Sequence, residues 1–525
     1  MAASTRRRRI LSIAFPHLPT DRIARARWGR SWISDGRPEA PPLAVTDMVQ
    51  NALRIAALEP GAEALGLNVG QTLADARAIR PDLDAVAMDA PADGALLAAV
   101  AGWCERYTPL TGLSAPDGLM LDVSGCAHLL GGEAGLLEDV TARLTAQGLN
   151  TRAALAGTPG AAWALARFGG PRIAASGEEA AALAPLPLAA LRVAPPIAAG
   201  LARVGLRTVG CIADLPRAPL ARRFGAGLLT RLDQALGRAE EAISPLRPAP
   251  DLAAERRFFD PISHQDDIAR ATALLAEALA PLLEARGLGA RRLELRLFRV
   301  DGAVERLAVS AARPLRDPGR IAGLFRDRVA GLRQEIEAGF GFDLVKLAVL
   351  ESERFGGVQG DMIAGGRAED GFQALVDRLG ARLGPERVRG FAGAETHIPE
   401  RAFGTLPLGR LRPGTPATGP AAGQPVPPLT RPLWLLARPE PLEALAEVPD
   451  GPPLRFRWRR TGYEVARSEG PERIACEWWR DGRGAMTRDY FRVEAREGHR
   501  FWMFRHGLYA RETVRPRWYM HGVFA

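Results

Sequence analysis

The sequence predicts a multidomain α/β (α+β) protein that ends in a small aromatic-rich β domain. Three observations predict it. A chain of 525 residues, 47% hydrophobic and 25% charged, is long enough for three or four domains that each bury a core. Short apolar runs alternate with stretches of helical spacing up to about residue 392. From 433 onward the composition shifts, with Trp458, Trp478, Trp479, Trp502 and Trp518 and Tyr463, Tyr490, Tyr509 and Tyr519 set among many arginines.

Taken in order, residues 10–15 are an apolar run after a basic tetrad and read as a buried strand that stops at Pro16. Residues 18–83 read as helical stretches with Gly/Pro punctuation, including an amphipathic segment at 73–79. A second core strand, 119–123, follows the turn Ala115-Pro116-Asp117-Gly118. Helices against a sheet are therefore expected over residues 1–168. Residues 169–245 are helical and arginine-rich. At their centre, 201–210 read as two short helices joined at Gly205, whose outward amides, with Arg207, are candidates for holding a DNA phosphate. An ordinary packing unit fits the same pattern.

Residues 252–392 read as a separate compact domain, with strands at 292–300, 305–309 and 344–350 and helices at 267–286 and 317–336. Arg292, Arg296 and Arg299 are expected on one sheet face, suited to tracking a nucleic-acid backbone, although any solvated face looks alike. Residues 393–432, rich in Pro and Gly from 403 on, read as a tether. In 433–525, strands at 490–493 and 500–504 indicate the β domain. Its aromatics could stack single-stranded bases, but Trp478 and Trp502 are assigned to the core.

The formal charge of +9 and a pI near 10.1 favour a polyanionic partner, and nucleic acid is the natural one. Lys346 is the only lysine, so no phosphate-loop lysine exists elsewhere. Cys104, Cys126, Cys211 and Cys476 lack metal-ligand spacing, so neither a metal, a cofactor nor a disulfide framework is expected, and a cytoplasmic location fits. The Arg6–Arg9 run resembles the start of a signal peptide, but the apolar stretch breaks at Pro16 and His17. No membrane span is expected.

The segments Ile10-Leu-Ser-Ile-Ala14-Phe15-Pro16-His17 and Ala115-Pro116-Asp117-Gly118-Leu-Met-Leu121-Asp122-Val123-Ser124 resemble the two metal-binding palm strands of the Y-family (UmuC/DinB-like) translesion DNA polymerases. The resemblance implies a palm at about 8–17 and 84–168 with inserted fingers at 18–83. It implies a helix-hairpin-helix thumb at 169–245 and a little finger at 252–392. Phosphoryl transfer in that family needs two Mg²⁺ held by carboxylates. The matching positions here are Ala14, Pro16, Asp117 and Gly118, so one carboxylate remains and nucleotidyl transfer is expected to be lost. The family's triphosphate clamp falls on Pro60 and Glu63, and its palm lysines near Pro159 and Ala161.

The whole chain, with Glu395-Thr-His397-Ile-Pro399-Glu-Arg, Trp478-Trp479, Trp502-x-Phe504-Arg505-His506-Gly507 and Trp518-Tyr-Met-His521-Gly522, resembles the ImuB-like members of the bacterial mutasome. That implies a non-catalytic adaptor in translesion synthesis, induced as part of a DNA-damage response. It would bind DNA, the β sliding clamp, a RecA-like accessory protein (ImuA type) and an error-prone C-family polymerase, the last two through 433–525. The clamp contact is expected at Thr405-Leu406-Pro407-Leu408, an approximate version of Gln-Leu-x-Leu-Phe, ahead of the less suited Gln424-Pro425-Val426. The alternative is an active polymerase in which Asp21, Asp75 or Asp122 replaces the missing carboxylates.

Overall fold

The structure is a computed structural model that describes residues 8–248, 250, 252–355, 366–408, 431–482 and 484–524. The chain forms two compact units, Met1–Glu369 and Asp370–Ala525.

In the first unit the apolar run becomes the strand Ile10–Ala14, all five residues buried. It lies between Gly118–Asp122 and Arg152–Ala156 in a four-stranded antiparallel sheet, with Thr111–Leu113 beyond Gly118–Asp122. Side chains alternate across a strand. Leu11 and Ile13 therefore join Leu119, Leu121, Trp103 and Leu136 in one core. Ile10 and Ala14 join Met120, Ala154 and residues of the helix Pro159–Phe168 in another. Both faces are covered, which is why the run is apolar apart from the buried Ser12; each large apolar side chain contributes about 1.5–3 kcal/mol by leaving water.

The reading of 18–83 as helical needs correction over its middle. Leu43–Val49 pairs antiparallel with Ala52–Leu58 and parallel with Asp84–Ala87. Gln50 and Asn51 join the first two at φ 49° and 61°, the left-handed values a two-residue hairpin turn requires. The amphipathic stretch is the helix Leu73–Ile79, capped by Thr72, whose hydroxyl accepts from the Asp75 amide at 3.1 Å.

A third sheet has the order Val304–Leu315, Leu288–Arg299, Phe342–Arg354, Leu252–Ile262, antiparallel throughout, and the helices Gln265–Ala285 and Pro318–Ala330 pack on it. The second helix ends at Ala330, short of the expected residue 336, with Gly331 as its C-cap.

The second unit contains a closed antiparallel barrel of six strands: Trp434–Ala446, Pro453–Trp458, Thr461–Ile474, Arg488–Ala495, Arg500–His506 and Arg517–Val523. Phe491, Val493, Phe501, Met503 and Met520 form one core cluster. Their strand neighbours Tyr490, Trp502 and Phe504 form another with Ile398, as period-two alternation requires. Trp502 is buried, but Trp478 is 81% exposed, so its assignment to the core was wrong. It stands in a loop outside the strands.

The tether assignment also changes at its start. Phe403–Pro407 pairs antiparallel with Arg389–Gly393 as a hairpin, and Pro399–Arg401 is a short 3-10 turn. Residues 409–430, including Gln424-Pro425-Val426, lie outside the described residues, as do Arg6 and Arg7. Among the described residues no helix is long and apolar enough to cross a membrane.

Candidate functional site

Strand register brings together the four positions that the resemblance matches to the metal-binding segments. Ala14 lies opposite Gly118, and the Phe15 amide, just before Pro16, donates to the Asp117 carbonyl at 2.8 Å. The sequence reading missed the residue that dominates this site. Arg167, in the last turn of Pro159–Phe168, places Nη2 2.6 Å from Asp117 Oδ1. Its guanidinium carbon lies 4.6 Å from the centre of the Trp163 ring. A Cβ added at Gly118 would come within 2.5 Å of Arg167 Nη2 and 2.9 Å of the Ile13 carbonyl. The space a side chain at 118 would enter thus holds a cation, and that cation already neutralises the one carboxylate. A divalent ion placed here would meet a fixed positive charge and would have to displace it from Asp117.

The alternative carboxylates are engaged elsewhere. Asp21 accepts from the Asn150 amide at 2.8 Å and from its side chain at 2.7 Å, and burial pushes its carboxyl up to about 6. Asp122 pairs with Arg8 at 3.2 Å and accepts the Ser124 amide at 3.1 Å. Asp75 takes a hydrogen bond from the Thr72 hydroxyl at 2.6 Å.

The positions that the resemblance matches to a triphosphate clamp sit in a short helix, Pro60–Ala64, where Pro60 opens the turn and Glu63 lies 3.9 Å from His17 Nδ1. Pro159 and Ala161 are buried at the start of their helix, with the Ala161 amide capped by Thr158 at 3.1 Å. Lys346 is partly buried and bonds Glu255 at 2.7 Å and the Glu105 and Arg106 carbonyls at 3.2 Å, so it is part of the packing. Burial lowers its pKa.

Of the candidate DNA contacts, Gly205 follows the helix Pro195–Arg203 at φ 85° with nothing within 4 Å of its Cβ position, and Arg207 is exposed. Arg292 is half exposed and lies 3.4 Å from Glu351. The placement of Arg296 and Arg299 on a solvent face is corrected. Both are buried, Arg296 between Glu294 and Glu105, the latter at 2.9 Å. Arg299 bonds Asp301 at 2.6 Å and the Glu337 carbonyl at 3.0 Å. Alternation puts Arg292 and Arg296 on one side of the strand and Arg299 on the other, but does not fix what covers either side. Glu105 and Arg106, after the helix Ala90–Cys104, cover the side of Arg296: Glu105 also pairs with Arg306 at 3.2 Å, and Arg106 with Asp343 at 2.7 Å.

The expected clamp segment is strand rather than free peptide. Thr405 Oγ1 accepts from Arg389 Nε at 3.0 Å and its carbonyl from Arg389 Nη2 at 2.7 Å. Leu406 is 46% exposed opposite Gly390, Pro407 is buried, and the Leu408 amide donates to Val388 at 2.8 Å.

Comparison with known proteins places these features in context. A family model described as "IMS: impB/mucB/samB family" matches residues 35–167. Protein ImuB of Caulobacter vibrioides, in two strains, is 43% identical over 470 residues, covering 88% of this chain and 100% of the relative. DNA polymerase IV of Alkalilimnicola ehrlichii is 27% identical over 239 residues, covering 45% of this chain and 66% of the relative. The crystal structure of DinB from Sulfolobus solfataricus aligns with a TM-score of 0.37 at 13% identity, covering 65% of this chain and 100% of that one.

Proposed function

The chain belongs to the ImuB family, with a UmuC/DinB-like, Y-family polymerase-related domain, and from that premise we propose that it is a non-catalytic adaptor for translesion synthesis and induced mutagenesis. In this reading residues 8–17 and 84–168 are a palm, 18–83 fingers, 169–245 a thumb and 252–392 a little finger, none of them performing nucleotidyl transfer. The protein works in the cytoplasm at damaged DNA, where it links the β sliding clamp, a RecA-like accessory protein and an error-prone C-family polymerase.

One observation carries the reading: Arg167 holds Asp117 and fills the space beside Gly118. Two-metal phosphoryl transfer needs several carboxylates converging on a pair of divalent ions. Here the converging positions are Ala14, Pro16 and Gly118, and the remaining acid is paired with an arginine. A fold kept while its reaction centre carries the wrong charge fits a scaffold that positions other proteins. DNA contact in this reading runs through the Gly205 hairpin with Arg207, and through Arg292; Arg296 and Arg299 hold the fold instead. Residues 433–525 recruit the partner proteins, and the hairpin strand around Leu406 contacts the clamp.

Reconstitution tests the proposal. The full chain, added to clamp and C-family polymerase on a primed lesion template, raises bypass only while that polymerase is present. Bypass that is the same with and without the chain would contradict it.

A further inference from the structure

The geometry points to a binding site for single-stranded nucleic acid on the C-terminal barrel, apart from the polymerase-related unit and independent of the adaptor reading. A cavity of about 600 Å³ opens beside the first barrel strand, Trp434–Ala446, against Thr461–Ile474, Arg488–Ala495 and Arg500–His506. That volume lies within the ordinary range for ligand pockets, about 300–1,000 Å³. Its lining carries four arginines, Arg431, Arg467, Arg492 and Arg500, against two glutamates, together with Trp434 and Phe524. Trp434 is 75% exposed. An indole left in water contributes little to the barrel but offers a flat face to a base.

The charges are arranged for exchange. Arg467 and Arg492 both pair with Glu469 at 2.9 Å, Arg467 largely exposed and Arg492 nearly half exposed, so a phosphate can approach either guanidinium from the solvent side. Arg500 lies with its guanidinium carbon 5.7 Å from the centre of the Phe524 ring. Aromatic platforms flanked by arginines are how sequence-tolerant sites hold a single strand, with bases stacked and backbone neutralised. A duplex keeps its bases stacked on one another and cannot use Trp434. An acidic peptide would use the arginines but leave the indole without a role, so the exposed indole favours the nucleic acid.

The test is fluorescence anisotropy of the full chain with a labelled oligo(dT) and with an abasic phosphodiester strand of equal length. Trp434→Ala is expected to weaken oligo(dT) binding about tenfold, the range typical of one lost base stack, and to leave the abasic strand unaffected. Arg492→Ala is expected to weaken both strands and to flatten the dependence of log affinity on log salt by about 0.7 for oligo(dT). Both positions are exposed, so thermal melting at the wild-type temperature accompanies these results. Unchanged oligo(dT) affinity in both variants would overturn the proposal. Equal loss on both strands with Trp434→Ala would also overturn it, because the indole would then not be stacking on a base.

Discussion

Arg167 donates to Asp117 at 2.6 Å from a helix fifty residues further along the chain, the interval from 117 to 167. The pair sets a positive charge beside the one carboxylate among the four positions matched to the metal-binding segments. Removing the arginine and returning acids should therefore restore cation binding. The triple variant Ala14→Asp, Gly118→Glu, Arg167→Ala is expected to bind Mn²⁺ measurably in an electron paramagnetic resonance titration. Gly118→Glu alone, with Arg167 in place, is expected to bind none. Equal Mn²⁺ binding by the single and triple variants would show that Arg167 is not the obstacle.

The buried ion pairs that displaced Arg296 and Arg299 from solvent should matter to stability. Burial alone would raise the Asp343 carboxyl, but hydrogen bonds from Arg106 and Arg143 hold it below the usual range. Asp343→Ala leaves Arg106, 1% exposed, without its bidentate partner. The expected cost is about 3–5 kcal/mol, the usual result of orphaning a buried charge. Urea unfolding of the Met1–Glu369 unit checks it; a midpoint within error of wild type would contradict the reading.

Acid should loosen the C-terminal barrel. His521 is fully buried and bonds the Tyr490 hydroxyl through Nδ1 at 2.8 Å. Burial pushes its imidazole down to about 4, helped by Arg488 and opposed by Glu400. The folded value lies below the ordinary 6.5, so the unfolded chain takes up the proton first. Stability is complete above about pH 6.5 and falls as the pH drops toward 4. Thermal melts followed by tryptophan fluorescence from pH 7.5 to 4.5 are expected to show this fall, and His521→Gln to reduce its slope. A slope unchanged by the substitution would assign it to other groups.

The clamp contact carries a structural cost absent from a free peptide. Leu406 is exposed, but the Leu408 amide and the Thr405 carbonyl are engaged within the hairpin. Binding must either read the strand edge or open these bonds, so affinity is expected to be weak. Leu406→Ala with Leu408→Ala is expected to lower it further, by more than tenfold, in surface plasmon resonance against purified clamp. Unchanged binding would move the contact elsewhere.

Several of these features could be read before folding and several could not. The strand at Ile10–Ala14 was legible because both its faces are buried, which leaves a run apolar at every position but Ser12. The hairpin joined by Gln50 and Asn51 was not, because neither residue is the glycine that usually marks such a turn. Trp478 and Trp502 are the same residue in similar surroundings of sequence, and only the barrel separates the exposed one from the buried one. Trp434 was overlooked because it adjoins the Pro-rich segment. Arg167 was invisible for a simpler reason: a resemblance to metal-binding strands directs attention to missing acids, not to an arginine on a neighbouring helix.

The central claim is that this fold no longer transfers nucleotides, and primer extension by the purified chain alone tests it most directly. With a primed template, all four deoxynucleotides and Mg²⁺ or Mn²⁺, the account predicts no product longer than the primer, at any enzyme excess. Template-directed extension that Asp117→Ala abolishes would contradict it.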